Sequence, residues 1–130
     1  MKYMVAYNGS DSSQRALSLA VAQAKKDNAM VFVVTSMEGG KNETIEDIQR
    51  AEERLREVKK QLINEEIQSE TVQLARGLSP GEDIVKFAQD NGIDHLFIGI
   101  EKKSRTRKIL LGSTAQFIIL RGPCPVTTIK

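Results

Sequence analysis

The alternation of strand and helix is clearest where the chain reads HLFIGI over residues 95–100, EKKSRTRK over 101–108 and ILLGST over 109–114. The first segment has the length and hydrophobicity of a buried strand, the second is a basic loop, and Gly-Ser-Thr is typical of a helix start. A helix N-terminus offers unpaired backbone N–H groups and the positive end of the helix dipole, an arrangement with which α/β proteins hold phosphate. This segment therefore predicts an α/β protein with a candidate anion site.

Outward from this segment, short apolar runs bounded by turn residues predict the strands of a sheet. The predicted strands are 4–7, 30–36, 71–75, 94–99 and 125–129. The run 30–36 is continuously hydrophobic and β-branched, which is typical of a strand covered on both faces.

Apolar residues at helical spacing predict four helices between these strands. The first follows the turn and cap residues 8–13 and ends near Asn28, and the third runs from Ser79-Pro80 to Asn91. The last covers residues 113–121. We expect Asn42, after a loop at Gly39 and Gly40, to cap the second helix. The apolar stripe predicted for this second helix is Ile45, Ile48, Ala51, Leu55, Val58 and Leu62.

The resulting order βαβαβαβαβ predicts an open parallel sheet with helices on both faces. In such sheets the ligand crevice lies beyond the carboxyl ends of the strands, where the strand order reverses. If the first strand is central, the loops at residues 8–10 and 99–114 flank the crevice, with Thr35-Ser36 nearby.

Length and charge limit the function classes. A chain of 130 residues with 40% hydrophobic content fits one domain, which we place at residues 1–130. The net charge of +2 gives no reason to expect nucleic acid or a membrane as partner. Residues 101–108, with five Lys or Arg and one Glu, carry a local charge of +4. This loop is either a solvated lid or a contact for phosphate or another anion.

Cysteine usage and the N-terminus favour a cytoplasmic protein. Cys124 is the single cysteine, so no intramolecular disulfide forms. The short apolar run near Met4 is followed at once by turn residues and is too brief for a signal peptide or membrane span. We therefore expect no targeting segment.

Three groups of residues resemble the universal stress protein A family, over essentially the whole chain. Residues 4–10, with Ser13 and Ala16-Leu17 after them, look like the family's opening strand and its Asp-Gly-Ser turn, with Asn8 in place of Asp. Residues 77–80, followed by Ile84, Ala88 and 94–99, resemble its third helix and fourth strand. Residues 112–113 and 124–126 resemble its closing segment.

The resemblance implies a Rossmann-like, adenine nucleotide alpha hydrolase-like fold with a five-stranded parallel sheet of order 3-2-1-4-5. It also implies a cytoplasmic stress-response module that binds ATP or a related adenine nucleotide and forms homodimers. The last strand, Val126 to Ile129, is short and lies at a sheet edge, so we expect two copies to pair through it. Whether Mg²⁺ accompanies ATP stays open, because Asn8 lacks the usual carboxylate.

Family members that bind ATP carry Gly-x-x-Gly, nine further residues and then Gly-Ser or Gly-Thr. Here Gly99 and Gly112-Ser113 hold the outer positions, and Lys102 replaces the middle glycine. Either the lost glycine prevents close backbone approach to phosphate, or Lys102, Lys103 and Arg105 supply charge in its place.

By resemblance, each end of the nucleotide has its own set of residues. The predicted nucleotide-binding residues are Ala6, Tyr7, Asn8 and Ser36 near adenine, Ile98 and Gly99 near ribose, and Lys102, Arg105, Gly112, Ser113 and Thr114 near the phosphates. Alternatives stay open for single residues in this set. Ser113 and Thr114 are also ordinary helix caps, and Tyr7 is a core residue as readily as a base-stacking one.

Two other functions compete with nucleotide binding. One is a nucleotide-free dimeric scaffold or regulator of the same fold, which the Lys102 substitution favours. The other is a phosphoryl-transfer enzyme. The sequence shows no nucleophile–base pair and no metal-ligand spacing, and His95 is interpreted as a packing or surface residue. We therefore assign no catalytic residue and no metal ligand.

Overall fold

A computed structural model describes residues 1–37, 43–101 and 111–130, which form an α/β structure with five parallel strands in the order β3-β2-β1-β4-β5. The predicted α/β class and the strand order 3-2-1-4-5 are confirmed. The strands are β1 (Lys2–Ala6), β2 (Met30–Ser36), β3 (Ser69–Leu74), β4 (His95–Gly99) and β5 (Val126–Ile129). The helices are α1 (Asp11–Asp27), α2 (Ile45–Asn64), α3 (Pro80–Asp90) and α4 (Ser113–Arg121).

The sheet is built around β1, which pairs in parallel with both β2 and β4. At its end, Ala6 lies opposite Val34 of β2 and Ile98 of β4. The three strands therefore end close together, and the strand order reverses at β1. This is the position at which open α/β sheets form their ligand crevice.

Alternate strand residues face two separate cores. Val5, Val33 and Phe97 pack on one face, together with buried residues of α1 and α2. Met4 and Leu96 pack on the other face with residues of α3 and α4. The central strands are buried on both faces, which explains why β2 is almost continuously hydrophobic.

The start of α2 differs from the prediction in its cap. Thr44 is the N-cap, and its side chain accepts from the Asp47 N–H while the Asp47 carboxylate accepts from the Thr44 N–H. This reciprocal pair satisfies two helix-end donors at once, so the helix begins at Ile45. The predicted cap was wrong, and Asn42 itself lies outside the described residues, as do Gly39 and Gly40.

The buried stripe of α2 begins at Ala51, nearly two turns after the predicted start at Ile45. Ile45 is 74% exposed and Ile48 is 38% exposed, so the first two residues of the predicted stripe are not part of the buried face. The buried residues of the helix are Ala51, Leu55, Val58 and Leu62. The buried face of α2 therefore does not include its first turn.

The boundaries of the remaining elements lie close to their predicted positions. Helix α4 has the predicted bounds, whereas β3 begins at Ser69, two residues before the predicted start. The added residues, Ser69 and Glu70, are polar but pair with Val31 and Phe32 of β2. Backbone hydrogen bonds to the neighbouring strand extend β3 at this end. Such bonds do not depend on hydrophobic side chains, so the sequence pattern does not reveal them.

Replacement of Leu62 by Ala tests the α2 core. Because Leu62 is fully buried, we expect Leu62→Ala to lower the free energy of unfolding by about 2–5 kcal/mol. Ile63 is the adjacent residue and is 59% exposed, so Ile63→Ala provides the matched control and changes stability by less than about 0.5 kcal/mol. Urea unfolding followed by circular dichroism measures both. Equal losses in the two variants would contradict the placement of α2.

Candidate functional site

A cavity of about 350 Å³ opens at the carboxyl ends of the central strands. Its volume lies within the range of small-molecule sites. Residues at the ends of β1, β2 and β4 line it, together with residues of α1, α3 and α4. The lining residues are Ala6, Tyr7, Asn8, Ser13, Val34, Ser36, Pro80, Ile84, 98–101, 112–115 and Ile118.

The structure brings most of the predicted binding residues together at this cavity. Nine of them line it: Ala6, Tyr7, Asn8, Ser36, Ile98, Gly99, Gly112, Ser113 and Thr114. The two basic residues of the prediction, Lys102 and Arg105, lie outside the described residues.

One side of the cavity is apolar. Ala6, Val34 and Ile98 form a row across three adjacent strands, because they are register partners in the sheet. Pro80 and Ile84 of α3 line the same cavity. Such a surface suits a flat, weakly polar ring system better than an ion.

The start of α4 forms the polar side. Gly112 is the N-cap of α4 and has no side chain with which to cap the helix. The alternative interpretation, in which Ser113 or Thr114 is the cap, was wrong, since both lie inside the first turn. The backbone N–H groups of this turn therefore have no capping oxygen from Gly112, and the helix dipole adds positive potential at the cavity.

Gly99 lies against the first turn of α1. A Cβ atom at this position would stand 2.4 Å from the carbonyl carbon of Ser12 and 2.5 Å from the backbone nitrogen of Ser13. Both contacts are to backbone atoms, so a side chain cannot be accommodated by a change of rotamer. The structure thus gives Gly99 a packing role at the cavity wall.

The loop after β1 is held by its own hydrogen bonds. Asn8 Oδ1 accepts from the Ser10 N–H at 3.0 Å, and Ser10 caps α1. Gly9 has a φ of +83°, a conformation that favours glycine. Arg54 of α2 donates to the Asn8 carbonyl oxygen at 2.7 Å and ties the loop to the neighbouring helix.

Tyr7 belongs to the core on the α1 and α2 face, which favours the core alternative for this ring. Its carbonyl oxygen accepts a hydrogen bond of 2.6 Å from the Thr35 hydroxyl. Burial raises the pKa of Tyr7, so the phenol remains neutral at physiological pH.

An ion pair that the sequence does not predict, Arg76–Asp83, lies directly behind the cavity wall. Asp83 of α3 is fully buried, and its Oδ1 accepts from Arg76 Nε at 2.6 Å. Its Oδ2 accepts from the hydroxyl of Ser36, which lines the cavity, at 3.3 Å. An aspartate in the first turn of a helix is ordinary, so the sequence pattern carries no signal for this burial.

His95 begins β4, at the opposite edge of the sheet from the cavity. Its ring stacks on Phe97 with centroids 4.5 Å apart, and its Nε2 lies 2.6 Å from the Thr127 hydroxyl. Burial lowers the pKa of His95, so the ring is neutral at pH 7. These contacts agree with its interpretation as a packing residue.

The part of the chain that the structure describes contains neither a metal-ligand cluster nor a membrane-spanning helix. Within residues 1–37, 43–101 and 111–130, no three His, Cys, Asp or Glu residues form a group that could hold a metal ion. None of the helices in the same ranges has the length and hydropathy needed to cross a bilayer.

The strand order and the crevice at β1 place the protein among the Rossmann-like α/β proteins. The universal stress protein family model matches residues 1–130, and the chain belongs to this family. A universal stress protein of Methanocaldococcus jannaschii is 29% identical over 140 residues, covering 99% of this chain and 81% of the relative.

Solved structures of related proteins have the same fold. A universal stress protein from Archaeoglobus fulgidus is 35% identical, with a TM-score of 0.87 over 100% of this chain and 93% of that chain. The structure of the universal stress protein from Archaeoglobus fulgidus in complex with dAMP is 32% identical, with a TM-score of 0.81. That match covers 99% of this chain and 96% of the other.

Removal of the Arg76 side chain tests the buried ion pair. Because Arg76→Ala leaves the Asp83 carboxylate buried without its cation, we expect the free energy of unfolding to fall by about 2–3 kcal/mol. Arg76→Ala combined with Asp83→Asn should recover at least half of this loss in urea unfolding.

Lys86→Ala is the control for the Arg76 variant, since the Lys86–Asp90 pair is exposed. Its effect on unfolding should stay below about 0.5 kcal/mol. An Arg76→Ala variant as stable as the control would contradict the structural importance of the buried pair.

Proposed function

We propose that this protein is a single-domain universal stress protein, residues 1–130, that binds ATP or a related adenine nucleotide in the cavity at β1. One observation carries this proposal. The cavity joins an apolar wall, suited to a nucleobase, to the start of α4, where the N-cap Gly112 has no capping side chain. A nucleotide has the same two-part chemistry, with a flat ring at one end and phosphate at the other.

The relationship to the Archaeoglobus fulgidus protein supports an adenine nucleotide in particular. That protein was solved in complex with dAMP, and it is 32% identical to this chain over nearly the whole length of both. An adenine nucleotide is therefore the first ligand class to test.

In this proposal the cavity residues divide by the part of the nucleotide that they contact. Ala6, Tyr7, Asn8 and Ser36 lie at the base, with Tyr7 contributing through its backbone since its ring is in the core. Ile98 and Gly99 lie at the ribose. The phosphates accept from N–H and hydroxyl groups of Gly112, Ser113 and Thr114. Lys102 and Arg105, proposed from the sequence alone, add side-chain charge at the phosphates.

The proposed output is regulatory rather than catalytic. Glu101 is the one charged residue among the described residues that line the cavity, and a single exposed carboxylate is not a hydrolytic machinery. A nucleotide that binds one conformation of the protein better than another shifts the population toward it. We propose that this shift changes the contacts of a cytoplasmic stress-response protein with its partner.

Isothermal titration with ATP, ADP, AMP and cyclic AMP tests the binding. We expect saturable binding of at least one of them, and a loss of at least about 10-fold in affinity for Gly112→Val, whose side chain obstructs the helix start. Lys60→Ala, on the exposed side of α2, is the control and should bind like the wild type.

Gly112→Ser separates loss of binding from loss of folding. The side-chain oxygen of a serine at the N-cap accepts from a first-turn N–H group, so it maintains helix stability while competing with phosphate for the same donors. We expect weaker nucleotide binding with no loss of stability. No binding to the wild type at millimolar nucleotide would overturn the proposal and favour the nucleotide-free scaffold.

Lys102→Ala tests whether the lysine that replaces the middle glycine supplies charge to the phosphates or only removes the close approach of the backbone. If side-chain charge contacts the phosphates, this variant loses affinity for ATP more than for AMP, because ATP carries more phosphate charge. Unchanged ATP affinity would show that Lys102 makes no such contact.

We also propose a homodimer through β5. The backbone N–H of Leu96 in β4 donates to the Pro125 carbonyl oxygen, and that of Ile100, just after β4, donates to the Ile129 carbonyl oxygen. Backbone groups alternate along a strand, so Val126 and Thr128 direct theirs to the free edge of the sheet. This edge offers unpaired donors and acceptors to a second copy of the strand.

Thr128→Pro tests the dimer. Proline removes one edge N–H but none of the β4–β5 hydrogen bonds, since those involve the alternate residues. We expect a wild-type dimer and a folded Thr128→Pro monomer by light scattering at tens of micromolar. Thr128→Val keeps the N–H and should remain dimeric. A monomeric wild-type protein would contradict the proposal.

A further inference from the structure

Ser36 lines the cavity, and its hydroxyl proton forms a hydrogen bond with a residue outside the cavity lining. The hydroxyl donates to Asp83 Oδ2 at 3.3 Å. A carboxylate paired with an arginine accepts hydrogen bonds but does not donate them, so the direction of this bond is set. The serine oxygen keeps its lone pairs and therefore offers the cavity an acceptor.

Asp83 is itself held in one orientation. Arg76 donates from Nε to Oδ1 at 2.6 Å and from Nη2 to the Asp83 carbonyl oxygen at 3.4 Å. Oδ1 is engaged by the guanidinium group, so Oδ2 remains for Ser36. The Asp83 side chain is fully buried and has no access to water as an alternative partner. The fold therefore fixes Ser36 as a donor to Asp83 and as an acceptor toward the cavity.

The acceptor lies in the part of the cavity suited to a base. Ser36 ends β2, two residues after Val34, which lies in the apolar row with Ala6 and Ile98. Pro80 and Ile84, from the same helix as Asp83, line this cavity as well. A polar atom in apolar surroundings discriminates between ligands through its hydrogen-bond direction.

We propose that Ser36, oriented by Asp83 and Arg76, selects a purine with an amino group at position 6 over one with an oxygen there. The inference rests on the proposed nucleotide site and adds its base specificity. Adenine carries a 6-amino donor, which complements the serine acceptor, whereas hypoxanthine and guanine carry a 6-oxo acceptor. Two acceptors facing each other cannot pair, so a bound 6-oxo purine leaves both groups without the hydrogen bonds that water gives them in the free state.

Three monophosphates test this selectivity by titration: AMP, purine riboside 5′-monophosphate and IMP. Purine riboside monophosphate differs from AMP only in lacking the amino group, so we expect it to bind about 5-fold more weakly. IMP places an oxygen opposite Ser36, and we expect about 30-fold weaker binding than AMP.

Two variants identify the residues responsible. Ser36→Ala removes the acceptor, so AMP and purine riboside monophosphate should bind equally well. Asp83→Asn has nearly the same shape but presents an amide N–H₂ that donates to Ser36, which frees the hydroxyl proton to face the ligand. We expect its preference for AMP over IMP to fall at least 5-fold. Ser18→Ala, exposed on α1, is the control and should keep the wild-type order.

The ratio between ligands separates this role from a structural one. A variant that merely loosens the cavity weakens all three monophosphates by a similar factor and leaves their ratios unchanged. If the wild type binds all three with equal affinity, or if Ser36→Ala keeps the wild-type ratios, the inference is overturned and the nucleotide site stands. If the wild type binds none of them nor any other adenine nucleotide, the proposed function fails and this inference fails with it.

Discussion

The parallel pairing of β1 with both β2 and β4 is the constraint on which the rest of the structure depends. It brings Ala6, Val34 and Ile98 into one row and makes the three strands end at the same edge. The strand order reverses there, so α1, which follows β1, and α4, which follows β4, pack on opposite faces of the sheet and leave a crevice between them. Every described residue of the candidate site follows from this arrangement, including those of α3 and α4, whose first turns border the crevice.

Most of the fold could be predicted from the sequence because its signals are local. Continuous apolar runs such as residues 30–36 identify buried strands, and the Gly-Ser-Thr start identifies α4. Of the two errors in α2, one depends on tertiary contacts and the other on a local pair of side chains. Ile45 and Ile48 continue the helical period of α2, but periodicity cannot show where the covering elements stop. Thr44 displaces the predicted cap because a reciprocal pair with Asp47 satisfies more donors than a single side chain.

The candidate site was predictable to a similar extent and for a different reason. Its described residues lie at strand ends and at one helix start, so topology alone brings them together. The roles of individual residues were less accessible. Gly99 looks like a ligand-approach glycine in sequence, yet a Cβ there would collide with the backbone of Ser12 and Ser13. Asp83 looks like a helix-start carboxylate, yet it is buried against Arg76 and Ser36. Both depend on contacts between elements distant in sequence.

The two sides of the cavity differ in what they would contribute to ligand binding. At the start of α4, backbone N–H groups and the helix dipole attract negative charge. This interaction does not discriminate between phosphate-bearing ligands, because any phosphate oxygen accepts from any of these donors. At Ser36 a single hydroxyl has one direction, imposed by a buried carboxylate and its arginine. An anion site of this kind contributes affinity, whereas a polar atom in apolar surroundings whose hydrogen-bond direction is fixed contributes selectivity between ligands. If these two sides bind one nucleotide, substitutions at the start of α4 would change how tightly phosphates are held without changing which base is preferred. The base preference would then belong to the β2–α3 contact, which lies on the other side of β1 from β5, the proposed dimer edge.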